Sequence, residues 1–163
     1  MEAKSSSFLF LSKAKFQIPY FRRPYVWSEY NWRKLINSII DNNFDYFIGS
    51  VIIQRVEEDL FSIIDGQQRI TTICILLKAC QKIINDRDTY EARINYMLFH
   101  STAPGVQPKI SKNNLSLIVN HSIEKDFGAI MMGDVDNEID SEHPYEYDNK
   151  KKSNVINCWP FAV

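Results

Sequence analysis

Cysteine is scarce and poorly placed for cross-linking: Cys74, Cys80 and Cys158 are odd in number and form no CxxC pair. That argues against a disulfide framework and a zinc knuckle, and it fits a reducing cytoplasm. No run approaches the roughly 20 apolar residues needed to cross a bilayer. Only Phe8-Leu9-Phe10-Leu11 stand together near the start, Lys13 and Lys15 follow, and no cleavage region is readable, so neither a signal peptide nor a membrane partner is expected. His100, His121 and His143 are scattered without metal-ligand spacing. There is no GxxxxGK[ST] loop, no HEXXH, no Ser-His-Asp arrangement and no recognisable nuclease cluster of His and Asn, so DNA cleavage by this chain alone is not expected.

The 163 residues suffice for one domain with a real core, and an apolar fraction of 45% with 24% charged is that of an ordinary globular chain. A net charge of −1 gives no global attraction to nucleic acid, but the charge is unevenly placed. Six basic residues (Lys13, Lys15, Arg22, Arg23, Arg33, Lys34) face the single acid Glu29, whereas seven acids from Asp134 to Asp148 have no Lys or Arg among them. The first region can meet phosphate, and the second repels it.

Residues 1–15 read as a leader, and Phe16-Gln17-Ile18-Pro19 as a short extended segment. Ser28 is a suitable N-cap, and Trp32, Leu35, Ile36, Ile39 and Ile40 at helical spacing predict an amphipathic helix over 29–41. Phe47 to Ile53 and Phe61 to Ile64, parted by the polar Gln54 to Asp59, predict a hairpin. Asp65-Gly66 breaks the second strand, and Ile73, Leu76, Leu77, Cys80, Ile83 and Ile84 then outline one buried helix face. Helices are expected over Tyr90 to Phe99 and Leu115 to Phe127, with Pro104-Gly105 between them. Residues 134–148 read as a solvated loop, and Asn154 to Val163 as the first turns of a further helix. The division expected is a core over 16–100, a helical extension over 101–133 and an acidic end over 134–163.

A strand that ends in Asp-Gly and turns straight into a helix leaves the first N–H groups of that helix converging on one point, which attracts anions. Gly66 permits the sharp turn, Gln67 and Gln68 offer amide hydrogen bonds, Arg69 offers a fork for phosphate oxygens, and Thr71 and Thr72 add hydroxyls. Asp65 can hold a divalent cation. The same residues also fit a plain turn in which Asp65 caps the helix and Arg69 pairs with it. A second constellation, Pro19 to Trp27, sets Arg22 and Arg23 among Tyr20, Phe21, Tyr25 and Trp27. It suits base stacking and phosphate contact, and equally a core packing of Tyr25, Trp27 and Trp32 under an arginine stem.

Ile18-Pro19 with Arg22-Arg23-Pro24-Tyr25-Val26-Trp27, then Tyr46-Phe47-Ile48-Gly49-Ser50, then Ile64 to Thr72 resemble, in order and spacing, the GmrSD N-terminal family, also called domain of unknown function 262. The match is clear over about residues 16–85. The resemblance implies an α/β (α+β) domain of the ParB/sulfiredoxin kind, with a small sheet, packed helices and a partial helical region after them. It implies a nucleoside triphosphate held with Mg2+ or another divalent cation at Asp65 to Arg69. Hydrolysis would regulate attack on modified foreign DNA, which a separate HNH-type nuclease domain cuts. In that frame Asp65 and Arg69 are the catalytic pair, and Asp65 is the metal ligand. Arg23, Gly66, Gln67, Gln68, Arg69, Thr71 and Thr72 bind the nucleotide, and Tyr20, Arg22, Arg23, Tyr25 and Trp27 meet DNA or its modification. The sequence departs from the family in reading Phe21-Arg22-Arg23 where Tyr-Gln-Arg is usual. The chain also stops before the helical remainder and nuclease region of longer members, as a fragment, a truncated gene product or a stand-alone subunit would, and a homo-oligomer is left open.

Two other readings compete. One is a non-catalytic module of the same fold that binds DNA or a partner through the Lys13 to Lys34 region. The other is sulfiredoxin-like thiol or phosphotransfer chemistry, which needs a reactive cysteine beside the turn; Cys74 and Cys80 fall on or near the apolar helix face instead.

Overall fold

The computed structural model describes residues 8–42, 46–84, 87–101 and 106–134. Within them the expected α/β class is realised as one mixed sheet with helices packed on it. The strands are β1 (Lys15–Gln17), β2 (Ile52–Arg55), β3 (Leu60–Asp65) and β4 (Leu117–Ile118), in the order β2-β3-β1-β4. β2 and β3 form an antiparallel hairpin, and β1 runs parallel to both β3 and β4. Phe16 is therefore flanked by Phe61 on one side and Leu117 on the other, which puts all three on one face of the sheet. The Phe16 and Phe61 rings stack with centroids 5.7 Å apart.

The helix expected over 29–41 is Glu29–Asp41 (α1), with Trp32 and Leu35 buried. Its start is fixed by Ser28 in extended conformation, whose backbone N–H donates to Asn31 Oδ1 at 3.1 Å, the returning half of a capping box. After β3 come α2 (Gln67–Ile83), α3 (Arg87–Leu98) and α4 (His121–Met132). α2 is the hub of the fold. Every residue from Ile70 to Ile75 is buried, because this stretch packs against other elements on all sides. Ile63, Ile70, Ile75, Phe99, Leu117, Phe127 and Ile130 form the driest part of the core, each contributing about 1.5–3 kcal/mol by burial.

Four sequence expectations change. The leader joins the fold rather than preceding it: Phe8–Lys13 is a 3-10 helix against α3, and Leu11 is fully buried. The first hairpin strand starts at Ile52 rather than Phe47, because Gly49 takes φ +100° and the carbonyls around it serve a side chain instead of a strand. The segment Leu115 to Phe127 is not one helix. Leu117-Ile118 pairs with β1 as a sheet strand, and the Asn120 side chain, accepting from the Ser122 N–H at 3.0 Å, delays the helix to His121. Finally, the buried face of α2 is wider than the spacing outlined: Ile73 is buried and Leu77, Cys80 and Ile84 pack partly against the core as expected, but Ile83 is exposed, and Ile70, Cys74, Ile75 and Ala79 are inside as well. Pro104-Gly105, residues 135–148 and the helix start at Asn154 lie outside the described residues.

Candidate functional site

A cleft of about 470 Å³ opens at the N-terminus of α2, where the end of β3, the turn at Gly66 and the segment Phe21 to Trp27 meet. Gly66 is the N-cap of α2 with φ +93°, a conformation that favours glycine. A side chain there would also meet Val51 Cγ2 at 3.0 Å. The first helical hydrogen bond runs from the Ile70 N–H to the Gly66 carbonyl, so the N–H groups of Gln67, Gln68 and Arg69 have no partner within the helix. Three arginines (Arg22, Arg23, Arg69) and one acidic residue (Asp65) line the cleft, which gives it a net positive field.

The two glutamines act as clamps on the aromatic-arginine segment. Gln68 Oε1 accepts from the backbone N–H groups of Val26 (2.9 Å) and Trp27 (3.3 Å), and its Nε2 donates to the Pro24 carbonyl at 3.0 Å. Gln67 Nε2 donates to the Arg23 carbonyl at 2.9 Å, while its Oε1 is buried without a partner. Arg22 Nε is likewise buried and unpartnered, and its guanidinium lies 5.6 Å from the Phe21 ring centroid. An unpaired donor and an unpaired acceptor therefore both belong to residues of this cleft wall. Arg23 is exposed and has no ion pair among the described residues.

Arg69 is held differently from a free phosphate fork. Its Nη1 donates to the Ile48 carbonyl at 2.9 Å and its Nη2 to the Ser50 carbonyl at 2.7 Å. The guanidinium fills the space over Gly49, where a Cβ would lie 1.7 Å from Nη1. Asp65 stands at 4.0 Å from Nη2 with its side chain 69% exposed, a loose pair at the mouth of the cleft. Asp65 does not cap α2, because Gly66 occupies that position.

Thr71 and Thr72 are each 1% exposed and lie behind the cleft lining. Thr72 Oγ1 donates to the Gln68 carbonyl at 2.8 Å, so the hydroxyl of Tyr25 donates to Thr72 while accepting from Trp32 Nε1 at 2.9 Å. Tyr25 is thus a core residue, as the packing alternative had it. Trp27 does line the cleft, and Phe21 does so at 66% exposure. Tyr20, 88% exposed, packs edge-on against Phe21. Sequence reasoning missed Asn120, whose Nδ2 reaches the carbonyls of Tyr20 and Arg22. Its place before a helix marks a cap, but nothing local marks the clamp.

The remaining chemistry is spare. Among the described residues no three His, Cys, Asp or Glu side chains gather to hold a metal, and no helix is long and apolar enough to cross a membrane. Burial pushes the Cys74 thiol up to about 12 and raises Cys80 as well, which disfavours both thiolates and with them thiol chemistry at the turn. Cys74 in the native protein is expected to resist iodoacetamide at pH 8 and to react once denatured. Peptide mass spectrometry after labelling under both conditions checks this, and native labelling at Cys74 would contradict it.

The three sequence motifs thus converge on one place: Gln67 and Gln68 bind the first to the turn, and Arg69 binds the second to it. The family model for the GmrSD restriction endonuclease N-terminal domain matches residues 7–159. The chain belongs to this family. As a GmrSD N-terminal domain it is a module of a restriction system. No curated protein matches the chain.

Proposed function

We propose that the cleft binds a nucleoside triphosphate with a divalent cation and hydrolyses it, and that this GmrSD-family chain uses the nucleotide to regulate attack on modified DNA. The observation that carries the reading is that Arg22, Arg23 and the open N-terminus of α2 line one nucleotide-sized cleft. Phosphate oxygens accept from the N–H groups of Gln67 to Arg69 and from Arg23, while the faces of Phe21 and Trp27 suit a base. Asp65 is a single, exposed carboxylate in a cationic wall. That fits Mg2+, which commonly takes one or two carboxylates and completes its shell with phosphate oxygens and water. Held there, the cation neutralises the phosphate chain. Arg69, which the family resemblance makes half of a catalytic pair with Asp65, supports the reading by shaping the turn through Ile48 and Ser50.

The ParB/sulfiredoxin comparison and a cytoplasmic setting belong to the same proposal. So does an HNH-type nuclease partner, since no nuclease motif is readable in the chain. Phosphate release measured with each of the four ribonucleoside triphosphates and magnesium tests the core claim. Wild-type protein should release phosphate with at least one of them, and Asp65→Ala should lower that rate by about 100-fold, the scale on which loss of one electrostatic contact to the transition state acts. Release that is absent from the wild type, or indifferent to Asp65, would sink hydrolysis at this cleft.

A second reading rests on Tyr20 and Phe21, an exposed aromatic pair beside Arg22. It assigns the lip to DNA contact without turnover. DNA binding that weakens steeply with salt and ignores nucleotide would favour it.

A further inference from the structure

Between Ile18 and Ser28 the chain has no helix or strand, so its backbone polar groups need partners outside any ladder. Side-chain amides supply them from two helices. Gln67 and Gln68 of α2 hold the stretch from Arg23 to Trp27, and Asn120, the N-cap of α4, holds the preceding turn. Asn120 uses its whole amide: Nδ2 donates to the Tyr20 carbonyl at 3.0 Å and to the Arg22 carbonyl at 3.1 Å, while Oδ1 accepts from the Ser122 N–H at 3.0 Å. The turn it grips is closed by the Arg22 N–H donating to the Pro19 carbonyl at 3.0 Å. Behind the grip lies a cavity of only about 10 Å³, shared by Asn120, Arg23, Gln67 and Thr71.

We infer that Asn120 is a positioning residue for the cleft: it fixes the Tyr20 to Arg22 turn so that Arg22 and Arg23 stand against the N-terminus of α2. This rests on the reading of the cleft as a nucleotide site. Both of its carbonyl partners flank the arginine wall, and the two amide clamps on either side of Arg23 leave that wall little freedom. The plain alternative is that Asn120 only caps α4. Serine separates the two roles, since Asn120→Ser keeps an oxygen for the Ser122 N–H and loses the amide nitrogen whose two N–H groups reach the turn, its one short hydroxyl being taken up at the cap.

The test uses two readouts on wild type, Asn120→Ser and Asn120→Ala. The first is trypsin nicking of the native protein at the Arg22–Arg23 bond; the next bond, Arg23–Pro24, resists trypsin and so does not interfere. The second is calorimetric affinity for each ribonucleoside triphosphate with magnesium. Asn120→Ser should unfold within a few degrees of wild type, be nicked about tenfold faster, and bind nucleotide about tenfold more weakly, the scale expected when a supporting partner of a site is lost. Asn120→Ala should match it in nicking and affinity while also unfolding earlier. Wild-type nicking in Asn120→Ser overturns the inference, and so does faster nicking with unchanged affinity in a protein that binds nucleotide. If the wild type binds none of the nucleotides, the reading of the cleft fails by itself, and the nicking rate still decides whether Asn120 holds the turn.

Discussion

Arg69→Ala is expected to lose about 2–4 kcal/mol of folding stability with no nucleotide present, because it removes two hydrogen bonds from a charged group to backbone carbonyls, one at half-buried Ile48 and one at exposed Ser50. For a chain of this size that corresponds to a fall of roughly 5–15 °C in the unfolding midpoint. The partners left behind are the Ile48 and Ser50 carbonyls, on either side of a glycine at φ +100°. Arg69→Lys should recover little, since an ammonium is a point donor and cannot span both carbonyls as the planar fork does. Gly49→Ala should reproduce much of the defect from the other side. Its Cβ would fall 1.7 Å from Nη1, and the positive φ disfavours any side chain. Thermal and urea unfolding of the three variants decide the matter. If Arg69→Ala unfolds with the wild type, the guanidinium is free to serve a ligand and the structural role assigned to it is wrong.

Arg69 also marks the limit of what the sequence could reveal. Local signals were strong where one residue type in one place has one reason: Ser28 before a 3.6-residue period located α1 to its ends, and a β-branched run broken by Asp-Gly located the turn at Gly66. β4 had no such signal. Two residues become a strand only because Phe16 and Gln17, about a hundred positions earlier in the chain, present an open edge. Polar residues near a turn were legible as ligand groups but not as clamps. Gln68, Arg69 and Thr72 direct their polar atoms to the backbone of segments 24–27 and 48–50 and to their own helix, and those carbonyls and N–H groups carry no mark in the sequence. Irregular segments that shape a cleft need side-chain partners, so a motif rich in amides and arginine is as much scaffold as site.

That division makes Arg23 the sharper probe of ligand binding. It is exposed, has no ion pair among the described residues, and lines the same cleft as the first residues of α2. Its backbone carbonyl, not its guanidinium, takes the bond from Gln67. Arg23→Gln therefore removes charge without removing a structural contact, and stability should stay within about 0.5 kcal/mol of wild type. Affinity for nucleoside triphosphate should fall roughly 10–100-fold, since a charge-assisted bond to phosphate contributes about 1.5–3 kcal/mol. Arg33→Gln is the control: Arg33 pairs with Glu29 across one turn of α1 at 2.7 Å and does not line the cleft, so equal loss of charge there should leave affinity unchanged. Calorimetric titration at two salt concentrations reads both effects, with Arg23→Gln also showing the shallower salt dependence. Equal losses from the two variants would reduce the effect to net charge, and no loss from Arg23→Gln would remove the arginine wall from the nucleotide site.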